Sequence, residues 1–472
     1  MMDLMPVTND DISPVYPGGV IAFSKDFRNG KISSEEITRT YLERIKRLDN
    51  HFGAFEYVNY DAAIKTAQAM DILRNSGVYL GPLMGVPIAI KDVFLIDNMP
   101  YPKVGSNMEL PDILGNEEGP FIKALRSAGC VFLGSTKTVE FCLGITGVSS
   151  PRGTPWCSAD VLNKRFPGGS SSGSGVAVGA NLCMFAIGSD SGGSVRVPAS
   201  FNGIFGLKTS FGLWPTDGVF PLDETVDSIG LLTQSAKDAR LIFETLSLIL
   251  YPNQDTHSDI DVDLKKVKLG LPSNHFNNGL SLTVQDSFEK ANKLLKTAGV
   301  SFESLNLHGA EERKDYFPFT MPTNLLAVLG VERFISNKDK MDPVIANRIE
   351  SGLNIEAHKY LNLINKRREY IISAHNQIRS FDAIVSPTTT IQSPLVSEAE
   401  DTTKGLSLAL GMTQNTQPAN YLELCAVSMP IPCDGLPIGY QLMAKKNEEV
   451  KLLNLAVAIE KLFSDKADEL KS

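Results

Sequence analysis

The chain has 472 residues, enough for one large core or for up to about three average domains. With 43% hydrophobic and 21% charged residues it is ordinary globular material, which excludes disorder as its main state. Against 54 Asp and Glu stand 45 Lys and Arg, a net charge of −9, so a small-molecule substrate is more natural than a phosphate backbone.

Met1 to Pro6 holds an early acid and no long apolar stretch, so no signal peptide is expected. No run of eighteen apolar residues occurs, and no membrane span is expected. Ser33 with Glu36 three residues on predicts a helix start, and Ile37, Tyr41, Ile45 and Leu48 follow at helical spacing. Residues 61–75 form a second, Ala-rich helical pattern. After Gly81-Pro82 the run Val86 to Ile90, ending at Lys91, reads as a buried strand. A helix over Phe121–Ser127, closed by Gly129, feeds a strand at Val131–Leu133.

The alternation recurs as helix 235–249, strand 267–271, helix 284–298, strand 300–306, helix 355–378, strand 382–386 and helix 447–463. Such a pattern predicts an α/β/α sandwich, a buried sheet covered by helices, with residues 1–472 as one large domain. The polar stretch Asn253–Asp263 reads as a surface excursion. Cys130, Cys142, Cys157, Cys183, Cys425 and Cys433 show neither a C-x-x-C pair nor a zinc spacing. They read as free thiols in a reducing, cytoplasmic setting.

Composition shifts sharply between 167 and 207. Pro167-Gly168-Gly169-Ser170-Ser171-Ser172-Gly173 leads into a small-residue helix. The strand Met184–Ile187 then opens into Gly188-Ser189-Asp190-Ser191-Gly192-Gly193-Ser194-Val195-Arg196. Glycines let the backbone turn several N–H groups into one space, and helices starting just after each cluster add partial positive charge. Such a place suits an anion, bound or transient. Alone, one cluster is a packing corner; two around one helix and one strand point to a site. There is no phosphate-loop lysine, and Gly173 to Gly179 is one residue too long for a dinucleotide turn. Gly169-Ser170-Ser171-Ser172-Gly173 has the letters of a nucleophile elbow but lacks the apolar strand before it.

Around these clusters the chain strongly resembles the amidase signature family. The likeness is carried by Pro167 to Ser171, by Gly188 to Ala199, and by Gly206-Leu207-Lys208-Thr209, with Ser194 falling 24 positions after Ser170. Gly85 to Asp92 looks like the family's lysine-bearing strand, and Asp382 to Pro387 and Gly435 to Leu442 like its closing strands. The resemblance implies a mixed sheet and a Ser–Ser–Lys triad. Ser194 would be the nucleophile, Ser170 the bridging serine on a cis peptide, and Lys91 the base. The backbone of Ser191, Gly192, Gly193 and Ser194 would form the oxyanion hole.

The chemistry agrees. A serine attacks an amide only when its proton is taken, and a lysine can take it only when neutral, well below its ordinary ~10.4. Burial beside an apolar strand pushes it that way. Arg196 reads as the partner of a buried carboxylate rather than a substrate clamp. Asp190 reads as a residue orienting the loop, and Asp92 as a salt partner near Lys91. His51, His257, His275, His308, His358 and His375 lack a catalytic context and mostly read as surface residues, so none is expected to be essential.

Specificity is expected from loops at 144–156, 311–345 and 405–420. Tyr316, Phe317 and Phe319 read first as core aromatics, with a pocket wall as the other reading; Met84, Met321 and Met412 stay open between the two. Thr138 to Gly147 with Gly153-Thr154-Pro155 looks closer to stand-alone amidases than to the glutaminase component of tRNA-dependent amidotransferases. The leading expectation is an amidase that releases a carboxylic acid and ammonia or amine through a Ser194 acyl-enzyme. The amidotransferase component is the alternative, and a non-catalytic anion or nucleotide binder the reading from another class. No cofactor and no metal are expected. The expected partner is a small-molecule amide, with no direct nucleic-acid or membrane contact and a homodimer left open.

Overall fold

The computed structural model describes residues 7–110, 113–253, 261–399 and 402–471. His257 and most of the polar stretch 253–263 lie outside them. Among the described residues one sheet of eleven strands runs through the molecule. Its strands are β1 (Phe55–Val58), β2 (Pro87–Lys91), β3 (Val131–Thr136), β4 (Phe185–Asp190), β5 (Phe205–Lys208), β6 (Ser228–Thr233), β7 (Lys268–Pro272), β8 (Ser301–Leu305), β9 (Ala383–Pro387), β10 (Cys425–Ile431) and β11 (Ile438–Ala444). They lie in the order β1-β3-β2-β4-β6-β5-β10-β11-β9-β7-β8. β3-β2-β4 and β9-β7-β8 are parallel, while the centre from β4 to β9 is antiparallel.

Local chemistry explains the elements that were expected. Ser33 Oγ accepts from the Glu36 N–H at 3.0 Å and starts the helix Ser34–Phe52, whose Ile37, Tyr41, Ile45 and Leu48 are all buried. Every residue of β2, β3 and β4 is buried, as parallel strands covered on both faces require. One apolar core extends from Val20 to Leu470, and a smaller one joins Ile145, Cys157, Phe166, Val197, Phe201 and Met412. The six cysteines are free, and all but Cys433 are fully buried. Among the described residues no helix is long and apolar enough to cross a membrane.

The stretch expected as a loop at 311–345 is instead helical, as Arg313–Leu329, Val331–Asn337 and Pro343–Glu350. Pro318 and Pro322 lie inside the first of these, where each removes a backbone donor. Burial of Tyr316, Phe317, Met321, Leu325, Leu326 and Leu329 holds that helix together despite them. The segment 405–420 is likewise largely helical, as Thr402–Thr413 and Gln417–Tyr421.

Candidate active site

β2 carries Lys91 into the middle of the molecule, where the side chain is 0% exposed. Its Nζ donates to Ser170 Oγ and to Ser189 Oγ, each at 2.8 Å. Ser170 arrives from a turn in which Gly168 has φ +72 and the Gly169–Ser170 peptide is cis. A Cβ on Gly168 would lie 2.8 Å from the Pro198 nitrogen, so only glycine lets the two turns approach this closely. Ser171 then ties three pieces together. Its N–H donates to the Ser194 carbonyl at 3.2 Å, and its hydroxyl to the Ser189 carbonyl at 3.2 Å. Ser171, the centre of the elbow-like G-x-S-x-G, is therefore a buried strut rather than a free nucleophile.

Burial pushes the Lys91 ammonium below the ordinary lysine range, against the opposing pull of Cys142, Asp227 and Asp190. Asp92 does not pair with it. Its carboxylate accepts from the Lys103 and Val104 N–H groups at 2.9 and 3.1 Å, and burial pushes its pKa up to about 7.

Ser194 is 5% exposed, at the end of a turn wrapped around Asp190. The Asp190 carboxylate accepts from the Gly193 N–H at 2.8 Å and the Val195 N–H at 3.1 Å. Arg196 grips it with Nε at 3.0 Å and Nη2 at 2.9 Å. Burial alone would raise this carboxyl, but Arg196, with help from Lys208 and Asn420, holds it far below the usual carboxylate range. The remaining Arg196 bonds go to Asn420 Oδ1, the Thr416 carbonyl and Gln441 Oε1 at 2.6–2.8 Å. Arg196 is thus a structural partner with nothing left for a substrate, and Asp190 orients the loop.

The structure joins Lys91 to Ser170, and the Ser170 turn to the Ser194 turn. It does not join the two hydroxyls: among the described residues the Ser194 hydroxyl makes no hydrogen bond. Gly193, expected as an oxyanion donor, spends its N–H on Asp190. Its role is conformational, at φ +122 and packed so that a Cβ would lie 2.7 Å from Thr416 Cβ. The N–H groups of Ser191, Gly192 and Ser194 carry no such commitment among the described residues. The Ser191 hydroxyl donates to Asp227, whose pKa desolvation pushes up to about 7, with Asp223 adding to the rise.

Sequence reasoning missed Ser189, Asp227, Thr416, Gln417, Asn420 and Gln441. Ser189 lay inside the signature stretch and was legible there as a polar residue on a buried strand. Thr416, Gln417 and Asn420 fall in the stretch 405–420 expected to set specificity, and Gln441 in the closing strand Gly435 to Leu442, but none was singled out; Asp227 carries no local signal. Thr416 Oγ1 donates to the Gly192 carbonyl at 2.9 Å, and Gln417 and Met321 lie against Gly192. Met84 and Met412 are buried in the core, Tyr316 and Phe317 are buried, and Phe319 is exposed.

The described histidines bond elsewhere. His275 pairs with the Gln414 carbonyl, His375 with the Leu422 carbonyl and His308 with Ser373. His51 stacks near Trp156, and His358 stands exposed beside Glu356. His275 is buried, so it is not the surface residue expected.

An amine sealed against a hydroxyl, next to a serine at a turn with free N–H groups, is the equipment of acyl transfer through a serine nucleophile. The Amidase family model matches residues 36–453. The chain is 29% identical over 439 residues to 2-amino-5-chloromuconic acid deaminase of Comamonas testosteroni, covering 92% of this chain and 94% of that protein. It is 30% identical over 472 residues to the A subunit of glutamyl-tRNA(Gln) amidotransferase from Clostridium kluyveri (strain NBRC 12016), covering 92% and 93%. The fold is similar to a crystal structure of amidase with a TM-score of 0.84 at 24% identity, covering 94% of this chain and 99% of that one. The chain belongs to the Amidase family, the amidase signature hydrolases of C–N bonds.

Proposed function

We propose that the chain, working as one catalytic unit, hydrolyses a carboxamide through an acyl-enzyme on Ser194. The observation that carries the reading is Lys91 Nζ, buried and 2.8 Å from Ser170 Oγ, in a turn tied through Ser171 to the Ser194 turn. Neutral Lys91 accepts the Ser170 proton as Ser170 accepts that of Ser194, and Ser194 Oγ attacks the amide carbon. Binding of substrate closes the Ser170–Ser194 step, since catalytic hydrogen bonds often tighten only in the substrate complex. The new oxyanion takes hydrogen bonds from the uncommitted N–H groups of the turn, Ser191 and Gly192 foremost. Collapse breaks the C–N bond, and the relay run backwards protonates the leaving nitrogen. Water then attacks the ester, Lys91 and Ser170 take its proton, and the acid leaves with Ser194 restored.

A fluorophosphonate probe should label the purified chain at Ser194 and nowhere in Ser194→Ala. Amide-dependent ammonia or amine release should fall at least ~10⁴-fold in that variant. Labelling and turnover that survive Ser194→Ala would remove this serine from the reaction.

A second reading is supported by the 30% identity to an amidotransferase component: a glutaminase that works only with partner proteins. Hydrolysis of simple amides by the purified chain alone favours the first reading. Glutamine hydrolysis that appears only with copurified partners and tRNA favours the second.

A further inference from the structure

The geometry points to Arg313 as the clamp for a carboxylate on the substrate, so that the amide cleaved is the half-amide of a short dicarboxylic acid. Arg313 is only 7% exposed, yet no carboxylate lies within 4 Å of it among the described residues. Its Nη1 donates to two neutral oxygens, Gln417 Oε1 at 2.6 Å and Thr413 Oγ1 at 3.1 Å. Its Nε is buried with no partner at all. The residue also opens the helix Arg313–Leu329, where the partial charge of the backbone is positive. Asp315, the acid of that first turn, faces solvent. A buried cation at the positive end of a helix, with an unused donor, is costly unless an anion completes it.

The position fits a substrate. Gln417, which holds Arg313, lies against Gly192 of the oxyanion turn: a Cβ on Gly192 would be 3.2 Å from Gln417 Cγ. One side chain therefore separates the guanidinium from the turn that would receive the amide oxygen. A short acyl chain with an amide at one end and a carboxylate at the other spans that gap. The other buried arginines nearby cannot serve: Arg196 is saturated, and Arg367 is spent on the Tyr421, Thr225 and Asn420 carbonyls beside Glu423. A planar guanidinium offers a carboxylate two parallel N–H groups, which a neutral substrate cannot use.

The inference deepens the hydrolase reading and rests on it, and the test separates the two. Succinamate and butyramide are compared as substrates of the wild-type chain, Arg313→Lys and Arg313→Met. Succinate binding is measured by calorimetry on the same proteins. Expected is a kcat/KM for succinamate at least ~30-fold above that for butyramide, carried mainly by KM. That ratio falls toward one in Arg313→Met and lies between in Arg313→Lys, and succinate binding weakens in parallel. A wild-type ratio below about threefold, or equal losses for both amides in Arg313→Met, overturns the clamp while leaving the hydrolase intact. Should no amide be cleaved and no probe label Ser194, the hydrolase reading falls. Arg313-dependent succinate binding would then still uphold the clamp, and its absence would overturn it. If Arg313→Met does not fold, the wild-type ratio and Arg313→Lys decide.

Discussion

Two regions of the molecule treat polar groups in opposite ways. Around β2, β4 and the turn 190–196, Lys91, Asp190 and Arg196 are each fully buried and each bonded to side chains. In the helices between 313 and 378, the buried Arg313 Nε stands without a partner, and Phe319, Val331, Ile335, Val344, Leu361 and Ile372 lie open to solvent. A completed network fixes one geometry; an incomplete one leaves room for something else to complete it. On the proposed function, the first region would hold the reacting groups and the second would select the substrate.

The sharpest way to break that contrast is Lys91→Met. It should cost about 10²–10⁴-fold in kcat/KM, the range of general base catalysis. The sign of its pH effect follows from the lowered pKa. Only the neutral amine accepts a proton, so the wild-type rate should climb with pH through a value below the ordinary 10.5, and the limb should vanish in the variant. A pH profile that keeps its shape in Lys91→Met would take the lysine out of the reaction.

Next in size is Arg196→Met, which leaves Asp190 charged and buried without its partner. About 3–5 kcal/mol of stability should be lost, read as a lowered urea midpoint. Lys91→Met removes a buried amine that has only hydroxyl partners, so it should not lower the midpoint. If both variants destabilised equally, the network would not divide into a reacting part and a supporting part.

The smallest effect is expected at the histidines. Substituting Gln for His51, His257, His275, His308, His358 and His375 in turn should leave kcat/KM within about threefold, because no described one bonds to Lys91, Ser170 or Ser194: His275, His308 and His375 bond elsewhere, His358 stands exposed beside Glu356, and His51 packs on Phe52 and Trp156. Loss of all turnover at one of them would replace the lysine relay with a histidine base.

The alternation of helices with short apolar strands was legible because each element carries its own period and its own stop signals. β2, β3 and β4 stood out as buried runs bounded by Gly or Pro. β5, β6 and β10 did not, since strands such as Ser228–Thr233 mix small polar and apolar residues and are defined by their neighbours. The helix Arg313–Leu329 was hidden by its two prolines, whose local cost is met only by tertiary burial. Ser170 and Ser194 stood out in one Gly/Ser-rich stretch, and Lys91 in a separate strand picked out by the family resemblance; the structure brings Lys91 and Ser170 together. Gly193 was expected as an oxyanion donor, and the sequence could not show that its N–H is claimed by an aspartate three residues back. Arg313 gave no warning: an arginine at a helix start looks like surface until the fold closes over it.

Arg196 ties its turn to the far end of the chain. Three of its acceptors, on Thr416, Asn420 and Gln441, are 220 or more positions further along the chain. A ribosome that has released only the first half of this protein presents the turn 190–196 with its guanidinium still hydrated. That pocket cannot dry until the final strands emerge, so the turn takes its buried form only at the end of synthesis.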